Sequence, residues 1–133
     1  MTRAEAASIF YRLLDTDKSV QFESNFSDVD KDEWYFHEVS ALTYLGIIDG
    51  YDDGTFRPDE NITRVQAVTI INRSLFRQIE HGDIPEDLVP DYTDLDTSYW
   101  GYDAIIEAST EHEYMQKDNF YEIWEHPRFR INK

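Results

Sequence analysis

Cysteine is absent from this 133-residue sequence. That excludes disulfides, thiolate metal sites and cysteine nucleophiles. Also missing is any apolar run near the ~18 residues that a membrane span needs, so no membrane insertion is expected. The opening TRAEAASIF has no basic leader, long apolar segment or cleavage site. It reads as lacking a secretion signal, as in a cytosolic protein or a piece of a larger exported one. Basic residues are scarce, with 12 Lys and Arg against 28 Asp and Glu for a formal charge of −16. Such a surface repels nucleic-acid phosphates and anionic lipid, and a nucleic-acid partner is not expected. The four histidines form no HxxxH or HExxH spacing, and no serine sits in G-x-S-x-G. Carboxylate pairs such as Glu107 and Glu111 do not stand out from the acidic background, so no catalytic residue and no glycosidase is read here. His112 ends a helical stretch where a cation suits the dipole.

What is present is a core-forming composition, 41% hydrophobic and 15% aromatic, with internal repetition. FSDVDKDEWYFHEVSAL (26–42) aligns without a gap on YTDLDTSYWGYDAIIEA (92–108). TRAEAASIFYRLL (2–14) aligns on TRVQAVTIINRSL (63–75). The unit is an aromatic-x-Asp opening, a helix with a tryptophan near its start, a Gly-rich loop and a Thr-Arg helix. The chain thus divides into the end of repeat 1 (1–17), repeat 2 (26–80) and a divergent repeat 3 (92–133), within one domain.

Thr2 with Glu5, and Thr63 with Gln66, match the capping box. Val65, Val68, Ile71 and Leu75 mark the apolar face expected of the helix after Thr63. A helix from Asp32 or Glu33 carries Val39, Leu42 and Leu45 and stops near Gly46. Ser98 is the expected cap of its equivalent, with Ile105 and Ile106 inward. The fold class is mainly α, with short extended pieces around 55–57 and 121–124.

The loop GYDDGTFRPDENITR (50–64) departs from a calcium loop counted from Asp49, because Tyr51 stands at the third position, where a ligand belongs. The run Asp28-Asp30-Asp32 has the opening spacing, but Glu33 and Val39 break its frame. It leaves a calcium-dependent protein–protein module as the alternative function. No phosphate-loop glycine pattern is present. Asp52-Asp53-Gly54 reads as a tight turn with positive φ at Gly54.

Assembled, FSDVDKDEW…GIIDGYDDGTFRPDENITRVQ resembles an S-layer homology repeat over 26–76, with MTRAE matching the end of a preceding one and 92–115 the front of a following one. The remainder, from 115, lacks both G-Y-x-D-G-T-F and T-R-A-E. The resemblance implies a pseudo-threefold helical prism that anchors proteins at the bacterial cell surface. It does so by binding secondary cell wall polysaccharide, often at a pyruvylated sugar, in grooves between repeats. It implies ligand-binding roles for Arg3, Arg64, Asp28, Asp94, Trp34, Trp100 and Gly46, with no cofactor and no metal. Arginine suits a ketal carboxylate, and tryptophan suits the C–H face of a sugar. Two other readings stay open: Trp34 and Trp100 as core residues, and Arg64 as a structural partner of Asp28 or Asp94. A terminal helix with an apolar face on a polar tether is also a candidate for domain swapping into an oligomer.

Overall fold

A computed structural model describes residues 1–15, 17–80, 83–90, 92–110, 112–116 and 121–125. The fold is mainly helical. Four α-helices are present among the described residues: α1 (Arg3–Leu13), α2 (Phe36–Tyr44), α3 (Arg64–Ser74) and α4 (Tyr102–Ser109). Three short strands, β1 (Gln78–Ile79), β2 (Glu113–Gln116) and β3 (Tyr121–Glu125), accompany them. The chain divides into two compact units, Met1–Ile70 and Ile71–Lys133.

In the first unit α1 packs on α2. Ala4, Ala7 and Tyr11 follow helical spacing and are buried, and the two alanines leave room for close approach. Facing them, Val39, Ala41 and Leu42 are fully buried, with Ile47, Ile48 and Phe56 completing the core. Both capping boxes form. Glu5 N donates to Thr2 Oγ1 at 3.1 Å while Thr2 N donates to the Glu5 carboxylate at 2.8 Å. Thr63 and Gln66 exchange the same pair of bonds, at 3.1 and 3.3 Å.

The end of α2 shows why glycine stands at 46. Gly46 N donates to Thr43 O and Ile47 N to Leu42 O, the paired bonds of a Schellman cap. That cap puts its middle residue at positive φ, here +69°. Gly50 answers to a different demand. A Cβ there would lie 2.1 Å from the Phe26 ring, which itself packs on Phe56 with centroids 5.5 Å apart. The aromatic opening of the repeat and the glycine of its loop are therefore one contact.

Four sequence expectations change in detail. α2 begins at Phe36 rather than Asp32 or Glu33, because residues 30–36 close successive turns instead, with Glu33 N on Asp30 O and Phe36 N on Glu33 O. Ser98 is not the cap of α4, which starts after Gly101. Its amide and hydroxyl both donate to Asp96 Oδ1, closing a local turn. On α3 the expected apolar face is not the buried one: Ile71 and Leu75 are exposed, while Ile70 and Asn72 are buried. Asn72 turns inward because its Nδ2 donates to the Ala104 carbonyl at 3.0 Å. Finally, 121–125 is a full strand, whereas 55–57 forms no strand and Arg57 turns to positive φ.

In the second unit β3 lies between β1, parallel to it, and β2, antiparallel to it, with Tyr114 opposite Trp124. Ile79, Tyr102, Ile106 and Trp124 form its core. Ile106 is fully buried as expected, and Ile105 is only half-buried.

Candidate functional site

The loop 49–62 is built around Tyr51. Tyr51 N donates to Thr55 O at 2.7 Å and Gly54 N donates to Tyr51 O at 3.0 Å, so the chain reverses within four residues. Gly54 has φ +81°, as the turn demands. Asp53 Oδ1 accepts from both the amide and the hydroxyl of Thr55, and Asp53 Oδ2 accepts from Arg57 Nη2 at 3.0 Å. Those Thr55 donors, then Arg57, depress the Asp53 carboxyl to about 2. Arg57 in turn lies over the Tyr51 ring at 3.8 Å. Tyr51 Oη accepts from Gln66 Nε2 at 3.2 Å, which ties the turn to the start of α3.

Onto this loop docks the start of α1. Arg3 N and Ala4 N, two of the amides that a helix start leaves unpaired, donate to Glu60 O and Pro58 O at 2.8 and 3.0 Å. The Arg3 side chain goes further. Its Nε donates to Phe56 O and its Nη2 to Asp49 O, both at 2.8 Å. The guanidinium lies 4.6 Å from the Phe56 ring centroid and 5.0 Å from that of Tyr51. Arg3 is only 3% exposed, and burial lowers its pKa, with Tyr51 and Glu60 opposing.

Asp28 has a similar internal role. Its Oδ1 accepts the Phe56 amide and its Oδ2 the Arg57 amide, each at 2.8 Å. Gly46, described above, serves the helix cap. Three of the residues singled out from the sequence thus hold backbone in place.

The other four face solvent. Trp34 is 59% and Trp100 63% exposed, so neither is a core residue; each ring leans on a neighbour, Tyr35 and Tyr99 respectively. Arg64, first residue of α3, is exposed and makes no hydrogen bond or ion pair among the described residues. Its structural pairing with Asp28 is not found among the described residues, where Asp28 instead accepts the Phe56 and Arg57 amides. Asp94 is exposed in the second unit, on the wall of a cleft of about 610 Å³ lined by Tyr92, Asp94, Leu95, Asp96, Tyr99 and Ile105. Aromatic rings beside carboxylates make this cleft suited to hydroxyl-rich ligands.

The comparisons now have a frame. Residues 25–68 match the S-layer homology domain, and these residues include the Phe26–Gly50 contact, the Asp28 clip and the Tyr51 turn. Residues 25–68 are an S-layer homology domain. Relatives of the chain include the cellulosome-anchoring protein of Acetivibrio thermocellus, 32% identical over 127 residues, 92% of this chain and 27% of that protein. The outer membrane protein SlpA of Thermus thermophilus is 51% identical over 57 residues, 43% of this chain and 6% of its own length. The surface-layer 125 kDa protein of Lysinibacillus sphaericus is 34% identical over 86 residues, 65% of this chain and 7% of its own. The chain therefore spans about a quarter or less of these relatives. Among the described residues no helix is long and apolar enough to cross a membrane.

Around the S-layer homology segment, sequence reasoning missed Tyr51 and Arg57. The signal available was the repeat motif itself, G-Y-x-D-G-T-F-x-P, in which Tyr51 is a fixed letter. The calcium alternative gains no geometry: among the described residues, Asp28, Asp30 and Asp32 do not bring three donor atoms together. It also missed a cluster of Glu107, His112 and Glu122 in the second unit, which is taken up below.

Proposed function

We propose that the chain is a noncatalytic cell-surface anchoring module, and that it binds secondary cell wall polysaccharide in the extracellular space. The single observation that carries the ligand reading is Arg64. The chain's other described arginines near the repeat loop are engaged: Arg3 by carbonyls, Arg57 by Asp53 and Glu60. Arg64 alone among these three presents a free planar fork, at the N-terminus of a capped helix where the dipole also favours an anion. A ketal-linked pyruvate on a terminal sugar offers such a carboxylate. Trp34 and Trp100, exposed and flat, supply platforms for sugar C–H faces, and Asp94 supplies an acceptor for sugar hydroxyls. Arg3, Asp28 and Gly46 support the site by holding the loop and the helix ends.

The test is a pull-down on purified cell walls before and after chemical removal of the wall polysaccharide. Binding to intact walls, lost on extraction and lost in Arg64→Ala with unchanged circular dichroism, is the expected result. Undiminished binding to extracted walls would sink the polysaccharide reading.

A second reading is favoured by comparing the two Thr-Arg starts. Where a G-Y-x-D-G-T-F loop is present, as for α1, the arginine is consumed by it. No such loop follows Tyr114, and α3 also leaves Ile71 and Leu75 exposed. On this reading the exposed start and face of α3 are covered by a second copy of the chain. Sedimentation would separate the two: a stable dimer that Arg64→Ala dissociates favours this reading, and a monomer favours the first.

A further inference from the structure

The second unit contains a buried polar cluster that the anchoring reading does not use. One oxygen each of Glu107 and Glu122 and a ring nitrogen of His112 lie within 4.8 Å of one another. Each element delivers its residue for a local reason. Glu107 follows Ile106 on the buried face of α4. On β3 the two-residue period puts Glu122 and Trp124 on one side, and both are buried. His112 immediately precedes β2, which pairs with β3, and its ring stacks on Trp124 at 3.9 Å with 15° between planes.

The tautomer follows from the partner. His112 Nδ1 lies 2.8 Å from the Thr110 carbonyl, which can only accept, so Nδ1 carries the proton. In the neutral imidazole Nε2 then presents a lone pair, 3.3 Å from Glu107 Oε2 and 3.6 Å from Glu122 Oε2. Three acceptors face one another. The side chains are 0–1% exposed, and His112 Nε2 and both Glu122 oxygens have no hydrogen-bond partner among the described residues. Arg77 approaches the other two oxygens, with Nη2 2.7 Å from Glu107 Oε1 and Nε 3.6 Å from Glu122 Oε1. Trp124 Nε1 donates to Glu107 Oε2 at 2.9 Å. One arginine charge against two carboxylates leaves a negative balance. Burial first, and then the charge of Glu107, push the Glu122 carboxyl above its ordinary range.

We propose that Glu107, His112 and Glu122 bind a divalent cation of the zinc class, which staples α4, β2 and β3 together. Metal–ligand bonds of ~2.0–2.1 Å at tetrahedral angles separate neighbouring ligand atoms by roughly 3.3–3.4 Å, close to the two N···O separations here. The imidazole with its far N–H on a backbone carbonyl is the usual support of a histidine ligand. Calcium and magnesium, which take six or more oxygens, are poorly served by two carboxylates and an imidazole. The staple lies in the repeat that has lost its Thr-Arg helix, where a metal bond offsets missing apolar burial.

Tag-free protein, stripped with chelator, is titrated with Zn²⁺, and separately with Ca²⁺ and Mg²⁺, by isothermal titration calorimetry. In a Trp34→Phe/Trp100→Phe background the remaining tryptophan, Trp124, reports through its stacked histidine. One saturable zinc site is expected, with a change in Trp124 emission and a raised Tm. Glu122→Gln and His112→Gln should each weaken binding by at least ~10-fold at unchanged circular dichroism. Absence of saturable binding, preference for Ca²⁺, or zinc affinity in both variants equal to that of the unmutated protein would overturn the proposal. If the variants do not fold, Co²⁺ in the unmutated protein decides: intense tetrahedral absorption supports the site, and a weak octahedral spectrum refutes it.

Discussion

Asp28 accepts the backbone amide of Arg57 at 2.8 Å across 29 residues of sequence, and Arg57 is one of two non-glycine residues described at positive φ, here 59°. A strained backbone conformation is thus held by a charged clip from the opening of the repeat. The clip also presents Arg57 to Tyr51 and Asp53. Removing both acceptors in Asp28→Ala is expected to cost on the order of 2–3 kcal/mol, read as a lower urea midpoint at unchanged m-value. Asp28→Asn, which keeps one acceptor, should fall between.

Arg3 and Arg64 occupy equivalent places in the repeat and should behave oppositely. Arg3→Ala strands two buried carbonyls and opens a gap beside Phe56, and a loss of about 2–4 kcal/mol is expected. Arg64→Ala removes an exposed side chain and should change stability by less than ~0.5 kcal/mol while abolishing wall binding. Equal destabilisation by the two would show that Arg64 is also structural.

The loop glycines separate two physical demands. At Gly46 a Cβ meets nothing, so Gly46→Ala suffers only the positive φ, about 1 kcal/mol. At Gly50 the Cβ overlaps the packed Phe26 ring, so Gly50→Ala should lose more, ~1–3 kcal/mol. Pairing it with Phe26→Leu should recover part of that loss, and an additive double mutant would count against the overlap.

The Asp53 carboxyl, at about 2 in the folded loop, lies below its unfolded value of 3.8. A depressed carboxylate stabilises the fold above the unfolded pKa, and that contribution disappears as pH falls through the folded one. The 51–57 turn should therefore loosen between about pH 4 and pH 2, seen as faster exchange of the Thr55 amide. Asp53→Asn should show that faster exchange at every pH, without the acid step.

The charge of −16 opposes an anionic ligand at long range. Screening with moderate salt, or divalent cations, should strengthen binding to wall polysaccharide. Affinity unchanged from low to high ionic strength would argue against an anionic ligand.

Short-range features were legible from the residues alone. The capping boxes at Thr2 and Thr63, the turn at Gly54 and the helix stop at Gly46 each involve groups within four or five positions, so local chemistry decides them. Less was legible where two stretches compete for the same surface. Val65, Val68, Ile71 and Leu75 draw a valid apolar stripe, yet Ile70 and Asn72 are the buried residues, and Asn72 is drawn in by a carbonyl on α4 that it serves as donor. The three-stranded sheet escaped notice since β1 and β2 are too short to show alternation.

Residue types and spacing by themselves determined the repeat, its helices and its kinship. Which of the repeated residues are spent internally was decided only in three dimensions. Arg3 finds carbonyls 46 and 53 residues away, and Asp28 finds amides 28 and 29 residues away. Among the described residues Trp34, Trp100 and Arg64 meet no such partner. His112, read as a helix-end cation, turns out to share a buried pocket with two glutamates. Burial and partnership depend on which distant backbone arrives beside a side chain, and that is a property of the packed fold.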